Sequence, residues 1–223
     1  MENTTAPGGM RETLRQLDVF AGDLPDFDPA AAPGDPTVLF VEWLRAAIDA
    51  GIPEPHAMTV STTAADGGPS ARVLLLKDVA DGGWQFAVHG ASPKGRELVE
   101  RPAAALTFHW VRLARQVRLR GPVVAESPER SAADFLARSP GSRAEALMGR
   151  QSQPLESLEE LNLAAKRSAE RVAQDPELVD PAWVLYTLRP TTAEFWQGDR
   201  QRKHTRLAYR REEERWTKSL LWP

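Results

Sequence analysis

The feature that most constrains the fold is a series of five short runs with β-strand character in the middle of the chain. Asp66-Gly67-Gly68 and Asp81-Gly82-Gly83, which separate successive runs, are typical of β-hairpin turns. A predicted helix interrupts the runs instead of alternating with them. This order favours an antiparallel β-barrel with flanking helices over a parallel α/β sheet. The runs are residues 57–62, 72–77, 84–89, 104–110 and 116–124.

Helices are predicted on both sides of these strands. Asp35 followed by Pro36 is a typical helix start, and Gly51 is a typical helix end. A longer helix is predicted to begin at Ser157, which forms a capping box with Glu160. The rest of the chain returns to strand character over 183–188, 194–197, 206–210 and 216–220.

We expect one domain over residues 37–223, preceded by a flexible segment, residues 1–36. Between Leu17 and Pro36 the chain has five aspartates and no lysine or arginine, and four prolines lie between Pro25 and Pro36. Acidic, proline-rich composition with few apolar residues is typical of segments that cannot bury a core of their own.

Charge and composition exclude several classes of function. The net charge of −3 gives no field that attracts nucleic acid or an anionic membrane. There is no cysteine, which excludes disulfides, zinc–thiolate sites and thiol nucleophiles, and the four histidines lack metal-ligand spacing. No apolar run reaches membrane-spanning length, and the polar first residues do not resemble a signal peptide. We therefore expect a cytoplasmic protein that binds no metal, nucleic acid or membrane.

A basic, aromatic segment near the C-terminus is the most informative candidate for binding. Residues 194–206 read EFWQGDRQRKHTR and combine two aromatics, a Gln-Gly turn, four lysines or arginines and a histidine. Cations beside stacking rings suit a planar, anionic or electron-rich ligand. The alternative is a basic strand-turn-strand on a solvated face.

Two further segments carry cations in patterns that suit an anion. Arg72 and Lys77 bound an apolar run, and Ser92-Pro93-Lys94 opens a predicted helix with a hydroxyl, free backbone N–H groups and a lysine. The alternatives are strand-end charges that reach water and ordinary helix capping. Since the sequence has no G-x-S-x-G, G-x-G-x-x-G or Walker motif, we expect a bound cofactor to supply any chemistry.

Taken in order, four segments resemble the pyridoxamine 5′-phosphate oxidase family of FMN flavoproteins. They are RVLLLK (72–77), SPKGREL (92–98), RQVRLRG (115–121) with RQS (150–152), and EFWQG…RKHTR (194–206). The resemblance implies a mainly β, FMN-binding split β-barrel with flanking helices. It also implies a homodimer with active sites shared between its subunits, a small aromatic substrate and O₂ as electron acceptor.

The resemblance also implies roles for individual residues. Arg202 and His204 would be catalytic; two apart on a predicted strand, they would share one face and clamp the substrate. The substrate would be bound by Lys77, Asp134, Arg138, Ser142, Arg202 and His204. The cofactor would be bound by Arg72, Val73, Leu74, Leu75, Lys77, Val88, Ser92, Lys94, Gln116, Gln151, Ser152, Trp196 and Arg206.

Departures from the family pattern concern the substrate. Asp134 stands where the family's vitamin B6 phosphate oxidases have a tyrosine, and a carboxylate beside a phosphate costs affinity. The N-terminal layout and HGASPKGREL (89–98) resemble the phenazine-biosynthesis branch, which aromatises dihydrophenazine carboxylates. We therefore expect a phenazine-type oxidase. One alternative is a pyridoxine or pyridoxamine 5′-phosphate oxidase, which is supported by the presence of Lys77, Arg138 and Ser142. Another is a flavin- or haem-binding module without turnover.

Overall fold

A computed structural model of the protein describes residues 9–223. Within that range ten strands form one continuous, curled sheet, with helices before and between them. The helices are α1 (Met10–Arg15), α2 (Pro36–Asp49), α3 (Pro93–Glu100), α4 (Pro128–Leu136), α5 (Pro140–Leu147) and α6 (Leu158–Gln174). The strands are β1 (Ala57–Thr63), β2 (Pro69–Leu75), β3 (Asp78–Ala80), β4 (Gly83–His89), β5 (Ala103–Trp110), β6 (Arg115–Ala125), β7 (Trp183–Leu188), β8 (Thr192–Gln197), β9 (Thr205–Glu212) and β10 (Arg215–Leu220).

Strand β6 joins the two halves of the sheet. Its first part pairs with β5 and β8, and its last residues pair with β7, so the strand order is β10-β9-β8-β6-β5-β1-β2 with a branch β6-β7-β4-β3. All pairs are antiparallel. Gly121 lies where β6 passes between the halves, and a Cβ there would lie 2.1 Å from the carbonyl oxygen of Arg189. Only glycine permits this close backbone approach.

The core lies between the curled sheet and α2. The side chain of Asp35 accepts a 2.7 Å hydrogen bond from the backbone N–H of Thr37 and fixes the start of α2. Phe40 and Trp43 are buried and pack edge-on against Phe108 and Phe195, with ring centroids 4.8 and 5.2 Å apart. Burying each of these rings stabilises the fold by about 1.5–3 kcal/mol.

The opposite face of the sheet points away from this core. Alternate residues of β1, β5, β6 and β8 are buried, and the residues between them are half-buried or exposed. On β2, Val73 and Leu75 are 65% and 45% exposed, which is unusual for apolar strand residues. We call this surface the outward face of the sheet.

The strands agree closely with the sequence prediction, with one difference that matters for the site. The five central strands and both glycine hairpins are present. However, β2 ends at Leu75, so the predicted strand alternation does not reach Lys77. The backbone N–H of Lys77 instead donates to the carbonyl of Gln85, which places Lys77 beside β4.

The segment before α2 contacts the sheet. The hydroxyl of Tyr209 donates to the carbonyl of Pro33 at 2.7 Å, and Nζ of Lys218 donates to the carbonyl of Ala32 at 2.6 Å. The expected flexibility of residues 1–36 stays a prediction, and residues 1–8 of that segment lie outside the described part of the chain. No helix within residues 9–223 has the length and hydropathy needed to cross a membrane.

Candidate active site

A cavity of about 750 Å³ opens beside β2 and β4. Val73, Leu74 and Leu75 form one wall, and Val88 of β4 lies beside them. The other walls come from α3, α5, residues 148–155 and the start of α6. The volume falls within the roughly 300–1,000 Å³ of sites for small molecules and cofactors. Its polar groups lie at two ends, which we call the α3 end, near Lys94, and the α5 end, near Arg138.

At the α3 end the chain places a cation on the first turn of a helix. The side chain of Ser92 caps α3 by accepting from the backbone N–H of Gly95 at 3.2 Å. A Cβ on Gly95 would lie 2.5 Å from the carbonyl oxygen of Gly90, so glycine lets the helix start against the preceding loop. Lys94 lines the cavity, and its Nζ donates to Oε1 of Gln151. A lysine beside free helix N–H groups favours an anion here.

The charges around Lys94 strengthen this interpretation. Burial and the neighbouring guanidinium of Arg72 lower the pKa of Lys94, and Glu97 opposes them. Nη2 of Arg72 lies 3.2 Å from Oε2 of Glu97, and Arg72 also donates to Thr62 and Ser70. Arg72 and Lys94 thus have only the carboxylate of Glu97 between them to balance two positive charges among residues 9–223. A bound anion would reduce the repulsion between the two cations. Arg72 does not itself line the cavity, contrary to a simple reading of the sequence motif.

The buried carboxylate of Glu97 stays charged for a clear reason. Burial tends to raise the pKa of Glu97, but hydrogen bonds from Thr62 and Arg72 lower it below the ordinary value. Glu97 therefore holds Arg72 in a fixed position beside β1.

At the α5 end two cations meet a carboxylate and an indole. Oδ1 of Asp134 lies 3.4 Å from Nζ of Lys77, and Oδ2 accepts a 2.8 Å hydrogen bond from Nε1 of Trp183. The guanidinium of Arg138 stacks over the ring of Trp183 at 4.1 Å. Its Nη1 is buried and has no hydrogen-bond partner among residues 9–223. Burial lowers the pKa of Arg138, while Glu145 and Asp134 oppose the shift.

Two serines complete the α5 end. Ser139, at the N-cap of α5, accepts from the backbone N–H of Ser142 at 3.3 Å, and its hydroxyl donates to that of Ser142 at 3.0 Å. Both serines line the cavity. Sequence reasoning identified Lys77, Asp134, Arg138 and Ser142 but missed Trp183 and Glu145. Trp183 was missed because it lies on a strand outside all of the motifs. Glu145 was missed because it is one of many glutamates on helices.

A second group of predicted site residues lies elsewhere. The rings of Trp196 and His204 are 5.0 Å apart, and Phe20 packs against both at 5.9 and 5.3 Å. The guanidinium of Arg202 lies 5.6 Å from the ring of Phe20. None of these residues lines the cavity. Sequence reasoning missed Phe20 because it belongs to the segment expected to be flexible.

The prediction that Arg202 and His204 share one face of a strand is wrong. Strand β9 begins at Thr205, and Arg202 lies in the preceding turn with a φ of +65°. His204 is fixed through Nδ1, which accepts from the backbone N–H of Asp199 at 3.0 Å. The turn displaces these residues from strand geometry because Asp199 also accepts backbone bonds within it.

The remaining predicted ligands lie on the outward face of the sheet. Gln116, Trp196 and Arg206 are register neighbours on β6, β8 and β9, so they form one row across that face. Nε of Arg206 donates to Glu194 at 2.9 Å. Ser152 follows Gln151 but is not among the residues of the cavity. One chain therefore holds two groups of predicted site residues, one that lines the cavity and one on the outward face.

The chain thus forms an antiparallel split barrel with a cation-lined cavity beside its edge strand β2, an arrangement that suits an anionic cofactor. Comparison with known protein families agrees with this interpretation. Residues 44–172 match the model of pyridoxamine 5′-phosphate oxidase, and residues 183–223 match that of the pyridoxine 5′-phosphate oxidase C-terminal dimerisation region. The chain belongs to the pyridoxamine 5′-phosphate oxidase family, and its fold is the homodimeric split β-barrel.

Individual relatives are similar over most of the chain. A pyridoxine/pyridoxamine 5′-phosphate oxidase of Burkholderia multivorans is 42% identical over 199 residues, which cover 88% of this chain and 92% of that protein. The enzyme of the same name from Thermosynechococcus vestitus is 43% identical over 190 residues, covering 85% and 89%.

Solved structures give a second kind of relative. PhzG from Burkholderia lata, solved in complex with tetrahydrophenazine-1-carboxylic acid, superposes with a TM-score of 0.85 at 29% identity, covering 91% of this chain and 100% of that one. An FMN-binding protein of Nostoc punctiforme superposes with a TM-score of 0.68 at 16% identity, covering 86% and 98%, and supports the fold alone. The chain thus belongs to an oxidoreductase family. Its relatives include proteins named for vitamin B6 phosphates and one solved with a phenazine-type ligand.

Proposed function

We propose that the protein is an FMN-dependent oxidase that takes two electrons from a reduced aromatic ring and passes them to O₂, in phenazine-type biosynthesis. The observation that carries this proposal is the cavity, whose lining combines Lys94, Arg138 and the apolar residues of β2. Such a cavity suits a flat, phosphorylated cofactor that lies beside a flat, acidic substrate.

The α3 end fits the phosphate of FMN. Lys94 lies at a helix N-terminus with Arg72 close enough to lower its pKa, which is the electrostatic arrangement that a phosphate stabilises. The residues that would hold FMN here are Lys94 and Gln151, with Arg72 and Ser92, which do not line the cavity, behind them. Once bound, FMN would supply the two-electron acceptor that O₂ regenerates.

The predicted site residues on the outward face would complete the site of the other subunit. Gln116, Trp196 and Arg206 lie on the outward face and are not among the residues that line the cavity of their own chain. A dimer in which the outward face of one copy covers the cavity of the other would bring hydrogen-bond donors and an aromatic ring to the flavin. The exposed Val73 and Leu75 beside the cavity are apolar surface that such a dimer would bury.

Arg202 and His204, which lie near Trp196, would act on the substrate bound to the other subunit. The His204 ring is held by a backbone N–H at Nδ1, so its Nε2 is the nitrogen left to face a ligand. Arg202, in its turn, provides a guanidinium that can orient an acidic substrate. A module that only binds flavin has no use for this pair, which favours an enzyme.

Two substrates remain as candidates. The phenazine type is supported by the structural likeness to PhzG, whose bound ligand is a tricyclic carboxylic acid, and by Asp134 at the α5 end. A pyridoxine or pyridoxamine 5′-phosphate is supported by the names of the relatives at 42–43% identity and by the presence of Lys77, Arg138 and Ser142.

Anaerobic mixing separates these candidates. The purified holoprotein is mixed with a reduced phenazine carboxylate or with pyridoxine 5′-phosphate, and the absorbance of the bound flavin is followed before and after O₂ is admitted. We expect the tricycle to bleach the flavin faster and O₂ to restore the colour. Faster bleaching by pyridoxine 5′-phosphate would establish the second candidate, and no bleaching by either would leave a binding module.

A further inference from the structure

We infer that Asp134 determines the class of substrate. By holding Lys77, it leaves Arg138 as the cation of the α5 end that has no ion pair among residues 9–223. Arg138 then selects a ligand with a single carboxylate over a phosphate ester. This inference rests on the proposed function, since it assumes that the substrate's acidic group lies at the α5 end.

The carboxylate of Asp134 is fixed by contacts to two other elements. Trp183, the first residue of β7, donates its indole N–H to Oδ2 at 2.8 Å, and Oδ1 lies 3.4 Å from Nζ of Lys77. The side chain of Asp134 is only 14% exposed. Because both oxygens are engaged, the carboxylate cannot rotate away from Lys77 without losing the indole bond.

Arg138 is the group that remains available. Its guanidinium is stacked on Trp183 at 4.1 Å, which fixes its plane, and its buried Nη1 has no partner within residues 9–223. A planar fork of N–H donors matches the two oxygens of a carboxylate. An unpartnered buried donor of this kind is satisfied when a carboxylate enters the cavity beside it.

The charges at the α5 end favour the smaller anionic charge. Lys77 and Arg138 are balanced by Asp134 and by Glu145, which also lines the cavity. A phosphate ester brings a charge of about −1.5 to −2 at neutral pH, whereas a carboxylate brings −1. Without Asp134 the same end would carry an excess positive charge and a free lysine, which is the arrangement that suits a phosphate.

Equilibrium binding tests the inference directly. Isothermal titration calorimetry of the holoprotein with phenazine-1-carboxylate and with pyridoxal 5′-phosphate gives a Kd for each probe. In Asp134→Asn, which keeps the shape and the acceptor for Trp183, we expect pyridoxal 5′-phosphate to bind about tenfold tighter or more, since a carboxylate charge beside the α5 end is removed and Lys77 is released from it. We expect the Kd for phenazine-1-carboxylate to change by less than about threefold.

Three further variants keep the test falsifiable. Glu129→Gln makes the same change of charge on the exposed first turn of α4 and should leave both Kd values unchanged. Lys77→Met in the Asp134→Asn background should abolish the gain for the phosphate probe, because the gain depends on a freed lysine. Arg138→Lys, which keeps the charge but not the fork, should weaken phenazine-1-carboxylate by about tenfold.

The outcomes are distinct from those of the proposed function. If Asp134→Asn changes the Kd values of both probes by the same factor, or changes neither Kd, Asp134 does not determine the substrate class. If the tricycle fails to reduce the flavin while the probes still respond as expected, the proposed function is wrong and the selectivity of the α5 end stands.

Discussion

The carboxylate of Glu97 lies 3.2 Å from Nη2 of Arg72 and keeps that guanidinium paired beside β1. Arg72 therefore acts on the cavity through its charge, while Lys94 lines it directly. The two cations that the sequence motifs place together thus differ in role. Lys94 is the residue whose change reports most cleanly on anion binding, because changing Arg72 would also leave Glu97 buried without its partner.

Removal of Lys94 should weaken the binding of FMN. Lys94→Met deletes a charge-assisted contact to the phosphate and should cost about 1.5–3 kcal/mol of binding free energy. Fluorescence titration of the apoprotein with FMN measures this cost. Lys166→Met, on the exposed side of α6, is the matched control and should leave the Kd unchanged. Equal Kd values for the Lys94 variant and wild type would remove Lys94 from the cofactor site.

The binding of FMN should weaken as the pH rises through the pKa of Lys94. Burial and Arg72 hold this pKa below its ordinary value of 10.5 in the free protein, so deprotonation, and with it the loss of the contact, begins at a lower pH than for an exposed lysine. Lys94→Arg should flatten this dependence, because arginine stays protonated. Titrations of apoprotein at several alkaline pH values compare the two, and identical profiles would contradict the assignment.

Subunits should complement one another if each site combines two chains. A heterodimer of one Lys94→Met subunit and one Trp196→Ala subunit, purified with two affinity tags, should keep one intact site, and its turnover should be roughly half that of wild type. The two homodimeric variants are the controls. A heterodimer as inactive as both of them would show that Lys94 and Trp196 of the same chain share a site.

Arg202 and His204 should affect turnover more than cofactor content. Neither lines the cavity in which we propose that FMN binds, so Arg202→Ala and His204→Ala should retain FMN and lose about 10²–10³ in kcat/KM for either candidate substrate. Flavin absorbance of the purified variants gives occupancy, and steady-state O₂ consumption gives turnover. Loss of FMN in parallel with activity would instead assign these residues to the cofactor site.

Local features of the fold could be predicted from the sequence because they depend on neighbouring residues. Glycine pairs set the hairpins, and Asp35 and Ser92 begin α2 and α3 through hydrogen bonds to residues two or three positions away. The prediction over-extended β2 to Lys77, since the end of a strand depends on its partner.

The sequence by itself determined the order of the main strands along the chain, the family and a list of candidate site residues, because alternation, turn residues and short motifs depend on residues close together in sequence. Only the tertiary structure decided how those residues pair. Trp183 donates a hydrogen bond to Asp134, although the two are 49 residues apart in sequence. Phe20 packs against Trp196, although most of the chain lies between them in sequence. Such contacts follow from strand register and helix packing, which fix side chains in space whatever their distance in sequence.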